Sequence, residues 1–334
     1  MTEQKRAGFI AVVGAPNAGK STFVNKMVGA KVAIVTPKVQ TTRNRILGIA
    51  MHGQSQLIFI DTPGIFSARA NFEKAMVQSA FASINDAEVI ALIVDAYKGL
   101  CDNTKLVMEA IAQSNAQKIV VLNKVDKVDK ADLLHLAQQI FDSGLFSECF
   151  MISAMKGDGV LDVKQWIAGA LPQDEWHYPE DQLTDIPLRQ WAAEVTRESL
   201  FYRLKEELPY SITVETESWE ENRKYIVKKQ IAPPLRGSSK AKDVSPQVMR
   251  GGKDNKSYED YLTIKQVIHV QNDNQKKIIL GKGGAMLKEI GMAARPRIEA
   301  FVERKVHLAL FVKVSERWKE EQHFYQSIGL DFDK

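Results

Sequence analysis

Six short apolar runs, at 9–13, 46–51, 57–60, 89–94, 119–122 and 150–152, alternate with stretches of helical spacing through the first half of the chain. Such alternation predicts an α/β domain built on a mostly parallel sheet with helices on both faces. Ligands of these sheets bind beyond the C-terminal ends of the strands. Within 66–87, Phe72, Ala75, Met76 and Ala80 recur near helical spacing, and Leu133, Leu136, Ile140 and Phe141 mark a second helix packed on the sheet. The pattern breaks at 172–187, where Pro172, Pro179 and Pro187 stand among acidic residues. This divides the chain into a first domain at 1–175, a linker at 176–187 and a second domain at 188–334.

The second domain has a different grammar. A helix is expected over 189–208, stopped by Pro209, followed by alternating strands at 211–219 and 262–270. Between them 236–257 is glycine-rich and polar and reads as a mobile loop. Two short helices flank a glycine cluster at 281–284, and Leu287 and Ile290 in the second should be mainly core. Pro296 interrupts the helix expected after Gly291, so a last helix should start near Ala294. In a closing strand, 307–314, Leu308, Leu310 and Val312 alternate with Ala309, Phe311 and Lys313.

At 334 residues and 45% hydrophobic, the chain can bury a large core and suits about two domains. No run approaches the ~18 apolar residues of a spanning helix, and the first eight residues carry no signal-peptide core. Cys101 and Cys149 stand far apart, which argues against a disulfide framework or zinc ribbon and for a reducing cytoplasm. The net charge of +4 conceals an asymmetry: residues 1–180 hold 18 Lys+Arg against 18 Asp+Glu, whereas 222–314 hold 20 against 8, a local excess of +12. The 236–257 loop contributes six basic residues against two Asp. That imbalance points to a polyanion or an anionic membrane surface.

Chemistry enters at Gly14-Ala15-Pro16-Asn17-Ala18-Gly19-Lys20-Ser21, between the first apolar run and the helix-like 22–28 that opens at Thr22. Its two glycines let successive N–H groups point at phosphates, aided by the positive end of the following helix. Lys20 would reach the β/γ-phosphates and Ser21 would ligate magnesium. Asp61-Thr62-Pro63-Gly64 follows the third run: the carboxylate can hold magnesium, directly or through water, and the Gly64 N–H can meet a γ-phosphate. Asn123-Lys124-Val125-Asp126 ends the fifth run. Asp126 can accept both N–H groups of a guanine edge, a donor pair adenine lacks, while Asn123 ties the pocket together and Lys124 lies against the ring. Ser153-Ala154 would support the base carbonyl from a backbone N–H. In the polar segment Gln40-Thr41-Thr42-Arg43-Asn44 a threonine hydroxyl could complete the magnesium shell only while the γ-phosphate is present; Thr42 is favoured and Thr41 is the competitor.

These motifs in this order resemble the translation-factor-class P-loop GTPases, and most closely the Era-like family. The resemblance implies magnesium-dependent hydrolysis of GTP to GDP and phosphate. Lys20, Asn17, Thr42 and Gly64 would be the catalytic set, and Ser21, Thr42 and Asp61 the metal ligands. Where Ras-like enzymes place a water-orienting glutamine, this chain has Ile65, so intrinsic turnover should be slow. In several relatives a P-loop asparagine helps hold a potassium ion, and Asn17 occupies that position.

The run Ile278-Ile279-Leu280-Gly281-Lys282-Gly283-Gly284 adds a Gly-x-x-Gly turn, which lets backbone approach a nucleic-acid backbone. Lys282 adds a phosphate contact, and the helix carrying Lys288 would line the groove. Helix–strand–strand–helix–helix–strand order, together with Glu207-Leu208-Pro209-Tyr210-Ser211 and Val306-His307-Leu308, resembles a type II KH domain. By resemblance such a domain, here with 236–257 as an insertion, grips single-stranded small-subunit ribosomal RNA near its 3′ end. The implied role is in small ribosomal subunit assembly and rRNA maturation, in the cytoplasm; no strong dimerisation segment stands out, so a monomer is expected. The family also implies peripheral contact with the inner membrane, and a membrane-associated regulator of division is the alternative.

Overall fold

A computed structural model describes residues 4–38, 41–43, 45–66, 71–205, 208–227, 256–316 and 318. Its first sheet is formed by β1 (Arg6–Val13), β2 (Ile46–His52), β3 (Ser55–Asp61), β4 (Val89–Asp95), β5 (Gln117–Asn123) and β6 (Glu148–Ile152), in the order β2-β3-β1-β4-β5-β6. Only β2 runs antiparallel to its neighbour. Helices cover both faces, so the interior strands carry continuous apolar runs, 9–13, 57–60, 89–94 and 119–122, rather than alternating ones. In β1, Ile10 and Val12 pack with Phe23, Val24 and Met27 of α1 (Lys20–Val28) and with Val163 and Ile167 of α5 (Val160–Ala170). Ala11 and Val13 point the other way, toward α2 (Asn71–Asn85), α3 (Asp102–Ala112) and α4 (Lys130–Phe141).

The second sheet has three strands, β7 (Thr213–Val227), β8 (Lys256–Val270) and β9 (Lys305–Val314); β7 and β8 are antiparallel, β8 and β9 parallel. Around it pack α6 (Leu188–Arg203), α7 (Asp273–Leu280) and α8 (Ala285–Val302). Trp191 of α6 stacks on Phe301 of α8, ring centroids 3.9 Å apart, above a core of Val195, Leu262, Ile264, Ala294 and Ile298.

Three expectations are corrected. Helix α6 ends at Arg203 rather than Leu208, because Leu204 is already extended, and a separate 3₁₀ turn, Leu208–Ser211, carries Pro209. The β7–β8 hairpin runs longer than the patterning implied, since its outer half pairs backbone to backbone without the apolar alternation that marks a buried face. Pro296 neither stops nor restarts a helix: α8 is continuous from Ala285 to Val302. A proline leaves the carbonyl four residues earlier without its N–H partner. That residue is Met292, 61% exposed, at a point where water can take over the bond. The loop expected over 236–257 falls outside the described residues except for Lys256 and Ser257, which begin β8.

The segment expected as a linker is a strap along the edge strand β2. Ile49 N donates to Leu183 O at 2.9 Å, Leu47 N to Asp185 Oδ1 at 3.2 Å, and Gly48 bridges Thr184. Further along, the fully buried Gln56 accepts from His177 N and Tyr178 N at 2.9 and 3.0 Å and donates to Tyr178 O at 2.8 Å. An exposed sheet edge is thereby covered. Gln56→Leu leaves three backbone groups of the strap without partners. It should lower stability by about 1–3 kcal/mol and open 176–185 to proteolysis; an unchanged melting temperature and cleavage pattern would show that the strap is held by other means.

Candidate nucleotide and RNA sites

The turn Gly14–Gly19 leads from β1 into α1, and its backbone is held by side chains that arrive from other strands. Asn123, 3% exposed at the end of β5, donates from Nδ2 to Ala18 O at 2.9 Å and accepts from Ala154 N at 3.0 Å. A single carboxamide thus joins the phosphate turn to the loop after β6. Gly19 is obligatory beneath it: φ is +104°, and an added Cβ would meet Asn123 Nδ2 at 2.2 Å. Thr62 Oγ1 donates to Val12 O at 2.9 Å, holding the turn after β3 against β1 and bringing Gly64 up to Pro16, where a Cβ would stand 3.0 Å from the Pro16 nitrogen.

Lys20 is buried, and its ammonium donates to Gly14 O and Ala15 O at 3.1 and 3.2 Å. Burial lowers its pKa to about 8, with Asp61 opposing the shift. Ser21 Oγ donates to Asp61 Oδ2 at 2.7 Å and lies 2.9 Å from Thr42 Oγ1, which is itself 3.4 Å from the same carboxylate oxygen. Thr41 turns elsewhere, its hydroxyl 2.6 Å from Thr36 Oγ1 and donating to Lys38 O at 2.7 Å. Of the two threonines, the structure places Thr42 beside Ser21 and Asp61. Burial raises the Asp61 pKa to about 6 against the pull of Ser21 and Lys20. Its Oδ1 is buried without a hydrogen-bond partner. Two hydroxyls and an orphaned carboxylate oxygen are a hard-oxygen set, and that set fits magnesium.

On the base side, Lys124 takes a left-handed conformation, φ 67°. Its ammonium donates to Asn17 O at 2.7 Å and to Asp95 Oδ2 at 2.6 Å. Asp126 and Val125 form the 3₁₀ turn that follows. The Ser153 hydroxyl holds the Asp126 carboxyl below its usual range, so it is ionised and able to accept. The cavity enclosed by these groups measures about 580 Å³. Pro16, Asn17, Gly19, Lys20, Ser21, Thr22, Thr42, Gly64, Asn123, Lys124, Asp126 and Ser153 line it. Gly14, Ala15, Ala18, Asp61, Thr62 and Ala154 support it from behind through the bonds above, while Pro63 is packed within the same turn after β3 and Val125 within the 3₁₀ turn. Gln40 and Asn44 lie outside the described residues.

Several lining or supporting groups escaped the sequence reading. Asp95 fixes Lys124, and its only sequence signal is that it ends an apolar strand at the ligand-bearing edge of the sheet. Val35, Lys98 and Met155 also line the cavity, as does Tyr202, which comes from α6 in the second unit. Arg43 leaves the nucleotide entirely. Its guanidinium donates to Ile212 O and Pro209 O at 2.8 and 3.2 Å and lies 5.7–5.9 Å from the ring centres of Phe72, Phe201 and Trp318. Burial lowers its pKa to about 9.

In the second unit Gly281 caps α7 with φ 68°, and a Cβ there would lie 2.8 Å from Met286 Cβ. Gly283 and Gly284 are also left-handed, and Lys282 and Gly283 are exposed at the tip. Beside the turn runs an open groove of about 430 Å³ lined by Gly284, Leu287, Lys288, Met292, Arg295 and Leu310, among others. Leu287 is half-buried: it packs against the core and also forms groove wall, so it is not simply a core residue. Met292 and Arg295 were missed because the expected break at Pro296 removed the helical register that puts them on the face of Lys288.

Comparison with known proteins matches residues 9–124 to the 50S ribosome-binding GTPase family and 253–319 to the KH domain. GTPase Era of Rhizobium meliloti (strain 1021) is 45% identical over 98% of this chain and 94% of its own length. GTPase Era of Brucella suis biovar 1 is 44% identical over the same shares. A crystal structure of Era in complex with MgGDPNP and nucleotides 1506–1542 of 16S ribosomal RNA superposes with a TM-score of 0.82 at 34% identity, covering 97% of this chain and 99% of that one. A single-residue variant of Aquifex aeolicus Era bound to GDP·AlF4⁻ gives the same score, identity and coverage. With both units matched in order over nearly the whole length, the chain belongs to the Era family and is a GTPase with a C-terminal KH domain.

Proposed function

We propose that this GTPase is a nucleotide-driven switch that grips single-stranded small-subunit ribosomal RNA near its 3′ end and serves small-subunit assembly and rRNA maturation in the cytoplasm, as a monomer. The observation that carries the reading is that α6, the first helix of the KH unit, is hydrogen-bonded to the 31–43 segment that brings Thr42 to the phosphate site. The relative crystallised with MgGDPNP and a 16S rRNA segment supports it. Lys288 and Arg295 line the groove and Lys282 stands exposed on the turn beside it, where phosphates would be met, which favours RNA over a lipid surface. Among the described residues no helix is long and apolar enough to cross a membrane. Vesicle flotation without RNA affinity would instead favour the membrane-associated regulator.

At the nucleotide site, Ser21, Thr42 and Asp61 would hold magnesium, Asp61 directly or through water; the ion supplies charge neutralisation at the β- and γ-phosphates. The chain's own residues do the rest. Lys20, whose pKa burial lowers, regains full charge against phosphate oxygens. Gly64 offers its N–H to the γ-phosphate, and Asp126 reads guanine while Asn123 and Asp95 keep the pocket's frame. Ile65 is fully buried and cannot orient a water, so slow intrinsic turnover is expected. Asn17, whose Nδ2 donates to Pro37 O at 3.1 Å, would help hold potassium.

Loaded with a non-hydrolysable GTP analogue, the protein should bind a short 3′-end rRNA strand more tightly than when loaded with GDP. Replacing Gly281 and Gly284 together with Asp should weaken that binding at least about tenfold by placing anions against the phosphate backbone, with GTP affinity kept within about twofold. Undiminished RNA affinity would remove the Gly-x-x-Gly assignment. Potassium chloride should raise turnover above that in sodium chloride of equal ionic strength, and equal rates would end the case for Asn17. Asp95→Ala should raise the GDP dissociation constant about tenfold through loss of a charge-assisted anchor on Lys124; an unchanged constant would show that Asn17 O suffices.

A further inference from the structure

The second unit contributes a side chain, Tyr202, to the nucleotide cavity itself. Along one face of α6, Trp191, Glu198 and Tyr202 follow at helical intervals, and each meets the 31–35 backbone or its neighbour. Trp191 Nε1 donates to Lys31 O at 3.2 Å. Tyr202 Oη donates to Val35 O at 2.9 Å, and Val35 N donates to Glu198 Oε1 at 2.9 Å. Both backbone groups of one cavity-lining residue are therefore taken by one helix of the other unit.

Glu198 has a second duty. Its carboxylate is 1% exposed and also accepts from Lys31 Nζ at 2.8 and 3.0 Å. The Arg297 guanidinium, from α8, pairs with the same carboxylate. Two residues before Arg297 on α8 stands Arg295, which lines the RNA-type groove. Residues two apart on a helix point to nearly opposite faces, so α8 carries the Glu198 contact on one side and the groove on the other. A buried carboxylate balanced by two cations has a narrow choice of positions, because a shift away from them leaves the carboxylate unpaired where water does not reach it.

We propose that Glu198 and Tyr202 are positioning residues of the nucleotide site, a clamp on the Val35 peptide through which occupancy of that site is transmitted by Arg297 to the groove-bearing helix α8. The proposal rests on the reading of the chain as a nucleotide-gated RNA binder. It identifies which bonds carry the gate: displacing Val35 when the nucleotide changes must either break two hydrogen bonds or move α6, and moving α6 carries α8 with it. By linkage the effect is reciprocal, so RNA in the groove should slow nucleotide release.

The test uses the full chain, fluorescent GDP and a GTP analogue, and a short single-stranded RNA from the small-subunit rRNA 3′ end. In the wild type, the RNA dissociation constant should differ about five-fold or more between nucleotide states, the size of ordinary coupling. Tyr202→Phe, which removes one hydroxyl and leaves the ring, should speed nucleotide release about three- to ten-fold, the worth of one hydrogen bond, and reduce the RNA ratio. Glu198→Gln should bring that ratio to about one, with RNA still bound in both states. If the wild type shows no nucleotide dependence, the gated reading falls and the clamp with it. If the wild type is gated and both folded variants keep its release rate and ratio, the clamp alone is refuted. Faster release with an unchanged ratio in Tyr202→Phe overturns the transmission to α8. Should Glu198→Gln fail to fold, Tyr202→Phe decides, since it leaves every ion pair in place.

Discussion

Taking a guanidinium out of water costs several kcal/mol unless acceptors and polarisable surface meet it, and the union of the two units is organised around meeting that cost at Arg43. Two carbonyls of the 209–212 turn accept from it, and three aromatic rings surround it: Phe72 from α2, Phe201 from α6 and Trp318 beyond β9. The residue next to it in sequence is Thr42. Fixing Arg43 therefore fixes the approach of Thr42 to Ser21 and Asp61, and the phosphate site inherits its geometry from a contact made with the other unit. Arg197 repeats the device one turn from Phe201, joining Thr41 O to Glu194. The boundary is built of buried guanidinium groups met by backbone carbonyls and aromatic rings, a kind of contact that holds one arrangement well and tolerates intermediate ones poorly.

The nucleotide pocket solves a different problem, that of holding a turn rich in positive φ in one shape. Gly14, Asn17 and Gly19 all adopt conformations with little intrinsic preference for a single structure. Asn123 and Lys124 fix the turn directly, and Thr62 fixes the β1 backbone that leads into it; all three come from strand ends. Because every such end lies at the same edge of a mostly parallel sheet, three residues distant in sequence from the turn converge on it without long loops. Asp95 completes the set by giving Lys124 a charge partner in a place with little water.

What could be read from the chain follows from this division. The phosphate turn, the guanine motif and the turn after β3 are legible because each is a short run of fixed residue spacing at the end of an apolar strand, so local spacing carries the information. The six sheet strands and the order of the KH elements are legible for the same reason: apolar runs and their periodicity report burial directly. Tyr202 was not legible, since nothing near it in sequence says that α6 will lie across the nucleotide cavity. Met292 and Arg295 were hidden by Pro296, whose usual meaning as a helix stop is overridden where the released carbonyl faces solvent. The length of the β7–β8 hairpin was hidden because 220–224 and 259–260 are polar throughout, with no alternation to detect.

The strap along β2 limits how the molecule can move. From Gln173, bridged to Arg6, to Asp185, bonded to Leu47, the chain between the units is fastened at intervals to the first sheet. Little slack is left before α6 begins at Leu188, behind Pro187 with its fixed φ of −58°. A tether of that kind does not let the KH unit wander through a sphere of positions. Any reorientation that keeps these bonds must come from backbone rotation between Asp185 and Leu188, a short hinge rather than a free linker.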